Sequence, residues 1–447
     1  MVAYSTYWNK EIETMPFEKM VQLQKQKLQS QMKYVYETSA FYREKFDKAK
    51  AKPTDIINIK DLQNLPFTEK EELRISLEKS PPLGEHCAAS LENVIRIHGS
   101  SGTTGRPTFI GLTRRDCNMW DEVAARCVWA IGYRPNHIIT HCFNYALFVG
   151  GVSDHLGTEK MGATVVPVGV GQAKRLARIL DDFKVDGVTA TASYFFHLAG
   201  VVKEELGKDP KELGIKILAC GAEPGAGIPA TRRKVEEIWG GNAYDVTGLS
   251  DVFGWHGGEC EYKQGMHFGG PDFCIMEVID PDTGKAKEIS EEMEGEVVYT
   301  MIEREASPLI RFRSHDHVMV WTSPCECGRT TWRFRIVGRT DDMLIVKGVN
   351  VFPSAVEDVI RTLTPEVTGE FQILLEKPSP LPDLKIKIEY GSDSKPQDLT
   401  KLKEKIEKRF SEILLFKANV ELIPPMTIPR VEYKPKRVYK LYTGEKP

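Results

Sequence analysis

Short apolar runs alternate with helix-like segments over residues 93–250, and this alternation restricts the chain to few folds. The runs are typical of β-strands and lie at residues 94–97, 137–140, 163–168, 187–191 and 215–220. Segments with helical periodicity separate them, around residues 116–131, 153–162, 172–184 and 194–206. Short buried strands that alternate with helices predict a parallel sheet covered by helices on both faces. The region therefore predicts an α/β fold.

The flanking regions differ in pattern. Residues 17–50 have helical periodicity, and Thr68 to Glu71 resembles a capping box that opens a further short helix. After residue 270, β-hairpins are predicted. Their strand-like runs lie at 275–279, 295–300 and 318–321, with a turn at 280–284.

A domain boundary is predicted near residues 338–342. Beyond it, residues 384–390 alternate like a strand. One helical face is predicted to carry Leu399, Leu402, Ile406, Phe410 and Ile413. We therefore expect a large N-terminal domain, residues 1–338, with parallel sheets flanked by helices plus a β-rich subdomain. A small α+β C-terminal domain, residues 339–447, is expected to follow.

Charge and hydropathy exclude several classes of protein. The 60 basic and 63 acidic side chains leave a net charge of -3, which argues against a nucleic-acid binder. No uncharged apolar run of about 18 residues predicts a membrane span, and residues 1–10 lack the order of a secretory signal. The nine cysteines are scattered and favour a reducing compartment. These features predict a cytoplasmic protein.

Residues 98–108 form a loop of unusual composition directly after a strand-like run. Residues 99–105 comprise three glycines, two serines and two threonines. Such residues bring backbone amides and hydroxyls close to phosphate oxygens. The loop lacks the lysine of the common nucleotide P-loop. A flexible connector is the alternative interpretation.

Five further segments follow this loop, at residues 221–224, 244–251, 308–316, 338–353 and 429–437. In this order the six segments resemble the adenylate-forming (acyl-CoA synthetase) superfamily, most closely its phenylacetate–CoA ligase branch. The resemblance covers nearly the whole chain, and the segment 338–353, with its continuation to Glu357, is the most specific match.

The resemblance implies an enzyme that joins a carboxylate to the α-phosphate of ATP and then passes the acyl group to a thiol. The loop is then expected to hold the β- and γ-phosphates. The residues involved are Ser100, Ser101, Gly102, Thr103, Thr104 and Gly105. Lys434 matches the adenylation lysine, which bridges the carboxylate and the α-phosphate. Lys436 is the competing candidate, and a solvated basic tail is the alternative.

The resemblance also assigns the nucleoside. Asp316 is expected to bind both ribose hydroxyls, and Asp245 to contact the adenine amino group. The base pocket would be lined by Gly221, Ala222, Glu223 and Pro224. A metal site formed by His315, Asp316 and His317 is disfavoured, because neighbours on a strand point to opposite faces.

Two positions depart from the family pattern. Thr247 stands where a tyrosine normally stacks on adenine, and Tyr244 is an alternative stacking residue. Asp251 replaces a glutamate that helps to hold Mg²⁺, and the shorter side chain can act through water.

The same resemblance makes the C-terminal domain mobile and gives it a hinge. Arg339 and Asp341 match the hinge residues, and Gly348 would leave room for the pantetheine arm of CoA. Phe143 and Tyr145 are expected to form the aromatic walls of the acid pocket; core packing explains such residues as well. His141 and His197 are interpreted as structural histidines.

Cys260, His267, Cys325 and Cys327 are predicted to form a structural Zn²⁺ site. His256 is an alternative fourth ligand, and a turn with reduced cysteines is the alternative interpretation.

The sequence therefore predicts an aryl- or arylalkanoate–CoA ligase that uses ATP, Mg²⁺ and CoA. Two alternatives remain at this point. One is adenylation with a non-CoA acceptor, as in coenzyme F390 synthetases, and the other is a catalytically silent nucleotide-binding regulator. The identity of the acid and the formation of a homodimer stay open.

Overall fold

A computed structural model describes residues 4–100, 107–147, 149–347, 349–393, 396–414, 416, 418–430 and 435–447. Its helices are α1 (Lys10–Glu13), α2 (Phe17–Thr38), α3 (Ala40–Lys48), α4 (Lys70–Lys79), α5 (Arg114–Ala130), α6 (Val149–Lys160), α7 (Ala173–Asp182), α8 (Ala192–Leu206), α9 (Pro229–Trp239), α10 (Pro353–Arg361) and α11 (Leu399–Leu414). Short 3₁₀ helices lie at Pro53–Asp55, Ile59–Asn64, Leu91–Asn93, Pro210–Leu213, Pro396–Asp398 and Leu441–Thr443.

The strands of the N-terminal part are β1 (Val94–Gly99), β2 (Phe109–Thr113), β3 (Ile138–His141), β4 (Thr164–Val166), β5 (Gly187–Ala190), β6 (Ile217–Cys220), β7 (Asn242–Leu249), β8 (Phe253–Gly258), β9 (Met266–Phe268), β10 (Cys274–Ile279), β11 (Met293–Met301), β12 (Phe312–Trp321) and β13 (Arg333–Arg339). Those that follow are β14 (Leu344–Val346), β15 (Val349–Val351), β16 (Val367–Leu375), β17 (Leu384–Tyr390), β18 (Ala418–Ile423) and β19 (Val438–Lys440).

One mixed sheet runs through the N-terminal part. Within the described residues its order is β10-β11-β12-β13-β9-β8-β7-β6-β5-β3-β4. Strands β3 to β7 pair in parallel, and β7 pairs antiparallel with β8. The predicted α/β fold is confirmed, and the parallel and β-rich parts share one continuous sheet.

Three local expectations were wrong. Strand β1 does not join the parallel sheet, because it forms an antiparallel hairpin with β2. Residues 17–50 form two helices, since Ser39 adopts an extended conformation and caps α3. The capping box of α4 is formed by Glu69 and Glu72, while the Thr68 hydroxyl donates to the Ile310 carbonyl at 2.7 Å.

The residues after β13 have a core of their own. Strands β16 to β19 form a sheet in the order β18-β17-β16-β19. Its core includes Leu402, Ile406 and Phe410 of α11. Ile413 is 44% exposed, so the predicted apolar face of α11 ends one turn early.

No helix among the described residues combines the length and apolar character needed to cross a membrane.

Candidate active site

The glycine-rich loop is closed at its base by side-chain contacts. The hydroxyl of Ser100 lies 2.8 Å from that of Thr108, and the Ser100 amide donates to the Thr108 carbonyl at 2.9 Å. Ser101, Gly102, Thr103, Thr104 and Gly105 lie outside the described residues. The structure therefore fixes where the loop leaves and re-enters the fold.

Asp251 anchors this base. Its carboxylate is 1% exposed and accepts the Thr108 hydroxyl at 3.0 Å. The Lys70 ammonium lies 3.2 Å from its other oxygen. The buried Arg304 guanidinium donates to the Asp251 carbonyl at 2.6 Å. Since buried charges need partners, Asp251 ties α4 and the β7–β8 turn to the loop.

The segment 221–224 follows the carboxyl end of β6. Ala222 has a φ of 67°, which turns the chain sharply at this edge. The Glu223 carboxylate accepts the Ser193 amide at 2.6 Å. Burial and the nearby Glu357 carboxylate raise the pKa of Glu223 to about 7.

Asp245 lies on the neighbouring strand β7 and is 8% exposed. Its backbone amide donates to Glu259 at 2.8 Å, and Arg232 binds both Glu259 oxygens at 2.7 Å. Burial and Glu259 raise the pKa of the Asp245 carboxyl to about 7. The Arg232–Glu259 pair was missed by the sequence analysis, because no local motif joins residues so far apart.

Thr247, which stands at the usual stacking position, and Tyr244, the alternative stacking residue, lie on opposite faces of β7. Thr247 is half-buried and shares the Asp245 face. Tyr244 is buried in another part of the core, with the Lys263 ammonium 5.0 Å from its ring centroid. Tyr244 is therefore not a partner for a base held by Asp245.

Arg339 joins the candidate ribose aspartate to the candidate hinge. It pairs with Asp316 in the β12–β13 register, and its guanidinium lies 3.6 Å from the Asp316 carboxylate. It also binds both oxygens of Asp341, at 2.9 and 2.7 Å.

A cluster of charges beside Asp316 was missed as well. His315 has a φ of 62°, and its ring lies 3.6 Å from Glu296 and 3.1 Å from Glu69. Burial opposes ionisation of Glu296, but hydrogen bonds from His315, Arg313 and Thr340 outweigh it and lower its pKa to about 2. Hydrogen bonds to Glu296 and Glu69 raise the pKa of His315 to about 9. His315 is therefore an ion-pair partner.

The aromatic segment lies beside the loop and the 221–224 turn. A Cβ on Gly221 would be 3.8 Å from the Phe143 ring, and the Gly99 amide donates to the Leu147 carbonyl at 3.0 Å. The Tyr145 hydroxyl lies 2.5 Å from His141 and 3.0 Å from His155. Phe143 and Leu147 thus adjoin the turn and the loop, whereas the contacts of the Tyr145 hydroxyl are with His141 and His155.

The four predicted metal ligands come together. Cys260, His267, Cys325 and Cys327 are all buried, and their ligand atoms lie within 4.8 Å of one another. Two edges measure 3.6 Å (Cys260–Cys325) and 3.4 Å (Cys327–His267). Zn²⁺ at about 2.3 Å from sulfur gives tetrahedral edges of about 3.8 Å. The donor set therefore fits zinc.

Two further candidate residues lie outside the described residues, and one alternative metal ligand is placed elsewhere. Gly348 and Lys434 are outside the described residues. His256 is engaged by the Tyr299 hydroxyl at 3.3 Å and is not part of the cysteine cluster.

Comparison with known proteins identifies the relatives of the chain. Residues 348–441 match the AMP-binding enzyme C-terminal domain family. The chain is 36% identical to phenylacetate-coenzyme A ligase from Thermus thermophilus over 94% of this chain and 96% of the relative. It is 34% identical to the Escherichia coli enzyme of that name, over 96% of this chain and 97% of the relative.

One solved relative also reports on the domain arrangement. 2-Hydroxyisobutyryl-CoA ligase in the postadenylation state superposes with a TM-score of 0.92 at 29% identity, over 99% of this chain and 94% of that one. The same ligase in the thioesterification state gives 0.73 at 30% identity, over 98% and 92%. The present arrangement is therefore closer to the postadenylation state.

The His315 ion pairs predict a specific pH dependence of stability. Because the folded pKa of about 9 exceeds the unfolded value of about 6.5, the stabilisation is complete below about pH 6.5 and is lost as the pH rises through 9. His315→Gln should therefore destabilise the protein at pH 6.5 by on the order of 1 kcal/mol and have little effect at pH 9.5. Urea unfolding at both pH values measures the difference.

The matched control is His137→Gln. Burial lowers the pKa of His137, so its replacement should cause no larger loss of stability at pH 6.5 than at pH 9.5. An equal loss at both pH values for His315→Gln would contradict the assignment of the ion pairs.

Proposed function

Because the chain belongs to the phenylacetate–coenzyme A ligase family, and is thereby an ATP-dependent acid–thiol ligase, we propose that its substrate is an aryl or arylalkanoic acid. The observation that carries this proposal is the full-length similarity to phenylacetate–CoA ligases. This similarity favours CoA as the acceptor over the F390-type and silent-regulator alternatives.

The reaction proceeds in two steps. A carboxylate oxygen attacks the α-phosphorus of ATP, the bond to the β-phosphate oxygen breaks, and pyrophosphate leaves. The CoA thiolate then attacks the acyl carbon, and AMP leaves with the electron pair of the acyl–oxygen bond. Two anions meet in the first step, so the site must neutralise both.

We assign the nucleotide to the edge formed by the loop, the 221–224 turn and strands β7 and β12. Ser100 and the loop residues Ser101 to Gly105 are proposed to hold the terminal phosphates. Asp245 is proposed to contact the adenine amino group, and Asp316 the ribose hydroxyls. Lys434 is proposed to bridge the carboxylate and the α-phosphate.

We propose that Mg²⁺ binds the phosphates of ATP. Its charge would offset part of their negative charge. Both Asp251 oxygens already have partners, Thr108 and Lys70. Asp251 is therefore suited to hold Mg²⁺ through a retained water, and its direct contacts set the position of the loop.

We propose that residues 339–447 rotate as a domain about Arg339 and Asp341. The Arg339–Asp341 ion pair is 34% and 49% exposed, so it adds little stability and can break during a rotation. In the second step Gly348 is proposed to give room to the pantetheine arm.

The aromatic walls support the aryl substrate class. Phe143 adjoins Gly221, and the Tyr145 hydroxyl is engaged by two histidines. The Tyr145 ring also packs on the rings of His141 and His155, at centroid distances of 5.0 and 5.9 Å, so the side chain is held in place as a wall of the proposed acid pocket.

We propose that Cys260, His267, Cys325 and Cys327 hold a structural Zn²⁺. Thiolate and imidazole donors suit zinc, and a closed four-ligand set is typical of a structural site. The cluster joins the β8–β9 connection to the β12–β13 connection, so the metal would cross-link the antiparallel half of the sheet.

The substrate proposal predicts acid-dependent exchange of labelled pyrophosphate into ATP. We expect phenylacetate and related aromatic acids to support exchange, and CoA added afterwards to yield the thioester. Acetate and 2-hydroxyisobutyrate serve as comparison acids. Faster exchange with these aliphatic acids than with every aromatic acid would overturn the aryl assignment, and no exchange with any acid would overturn the ligase assignment.

Lys434→Ala is expected to lower the adenylation rate by about 10²- to 10³-fold, because a preorganised charge at the transition state is lost. Thioester formation from a preformed acyl-adenylate should be largely retained. Lys436→Ala is the matched control, since Lys436 is exposed and paired with Glu445 at 2.9 Å. A larger loss of adenylation in Lys436→Ala would move the role to that residue.

The zinc proposal predicts one Zn²⁺ per chain by elemental analysis of protein prepared in the presence of zinc. Cys325→Ser should lose the metal and lower the melting temperature by about 2–5 °C. Cys87→Ser, at a half-buried cysteine outside the cluster, should retain it. Zinc-free wild-type protein would refute the site.

A further inference from the structure

Helix α10 of the C-terminal part packs against the N-terminal part at several points. Phe352, its N-cap, packs closely over Gly338, where an added Cβ would lie 2.5 Å from the ring. The Ser354 hydroxyl donates to the Val337 carbonyl. These two contacts lie next to the hinge and would move little in a rotation about it.

Arg361 makes a contact further from the hinge, at the other end of α10. Its guanidinium lies 4.7 Å from the ring centroid of Phe196 on α8. Its side chain is 5% exposed and lies 3.2 Å from Glu357. A cation placed over an aromatic face in a site with little water interacts more strongly than on a surface.

Local packing fixes the guanidinium in this position. Gly369 has a φ of 92°, and a Cβ there would lie 2.2 Å from the Arg361 Nη1. Arg361 Nε has no hydrogen-bond partner among the described residues. The Phe196 ring and the Glu357 carboxylate therefore account for much of what holds this buried cation.

Charges around the contact make it specific to one arrangement of the domains. Glu357 of α10 faces Glu223 of the 221–224 turn, and like charges repel. Arg361 offsets the Glu357 charge, and Arg437, bound to Glu370 at 2.6 Å, also lies near both carboxylates. Arg361 and Arg437 both belong to the C-terminal part, and their positive charges reduce the repulsion between Glu357 and Glu223 in this arrangement.

A second contact supports the same arrangement. The N-terminus of α9 has no side-chain cap within its own segment. Asp358 of α10 lies at this end, where burial raises the pKa of its carboxyl and the Ala230 amide, Arg335 and Arg233 offset only part of that rise. Helices α9 and α10 therefore touch at a second point.

We propose that Arg361 and Phe196 form a clasp that holds the C-terminal domain in its present arrangement, in which the acyl-adenylate is formed and held, and that the clasp is released before thioester formation. The proposal rests on the ligase function and on the rotation about residues 339–341. Arg361 and Phe196 are positioning residues that contact each other across two domains, so any large rotation separates them. A contact made in only one of two states shifts the equilibrium toward that state.

The clasp is tested with Phe196→Leu, which keeps apolar packing on α8 but removes the aromatic face. Adenylation, measured by pyrophosphate exchange with the best acid of the panel, should fall by about 3- to 10-fold. Thioester formation from a preformed acyl-adenylate should stay equal to wild type or become faster. Phe196→Tyr keeps a ring for the cation and should restore adenylation.

Phe183→Leu is the matched control, because Phe183 is an exposed aromatic residue on the same domain, at the end of α7. It should leave both half-reactions unchanged. Arg361→Met, which removes the cation but keeps an apolar stem, should in combination with Phe196→Leu lose no more adenylation than the more impaired single variant, since both substitutions remove the same cation–π contact.

The outcomes separate this proposal from the ligase function. A wild-type protein that exchanges no pyrophosphate with any acid refutes the ligase function. If wild type is active, unchanged exchange in Phe196→Leu overturns the clasp. Equal losses in both half-reactions also overturn it, as does a failure of Phe196→Tyr to restore adenylation. A thermal melt of each variant shows whether an equal loss comes from unfolding.

Discussion

A single buried carboxylate, that of Asp251, holds together the parts of the chain that form the candidate site. Its ionised form needs partners inside the protein, and it finds them in Lys70 of α4 and Thr108 at the end of the glycine-rich loop. The Arg304 guanidinium donates a hydrogen bond to the Asp251 backbone carbonyl and so holds the backbone in place. Because Thr108 also closes the loop onto Ser100, the base of the loop has one defined position relative to β7.

A comparable link joins the ribose side of the site to the proposed hinge. Arg339 ends β13 in register with Asp316, and its guanidinium binds Asp341 with two hydrogen bonds. One cation thus lies between a carboxylate proposed to bind ribose and a carboxylate proposed to change conformation. In our proposal, the arrangement of the small domain is then coupled to occupancy of the nucleotide site, because one guanidinium contacts both carboxylates at the same time.

The sequence predicted those features whose physical cause is local. Strand β5 was expected at 187–191 and lies at Gly187–Ala190, because a short apolar run between helices has few alternatives. The Cys/His cluster was predicted because cysteine and histidine are the residue types that bind zinc, so the residue types themselves indicate a metal site. Pairing of β1 with β2, the Arg232–Glu259 pair and the contact of His315 with Glu69 were not predicted. The last of these joins residues 246 positions apart, and such contacts follow from the three-dimensional fold and not from a local pattern.

The aromatic segment shows how a buried hydrogen-bond network constrains a substrate proposal. His155 Nε2 lies 2.8 Å from Glu159, whose carboxylate accepts hydrogen bonds and donates none, so His155 donates there from Nε2 and accepts the Tyr145 hydroxyl at Nδ1. That hydroxyl then accepts from His141 Nε2, and its single donor is used within the protein. The polar end of Tyr145 is therefore committed, and its ring is held by the rings of His141 and His155. An acid that packs a flat surface on this ring matches what the residue can offer, which is the physical basis for favouring an aryl acid at this site.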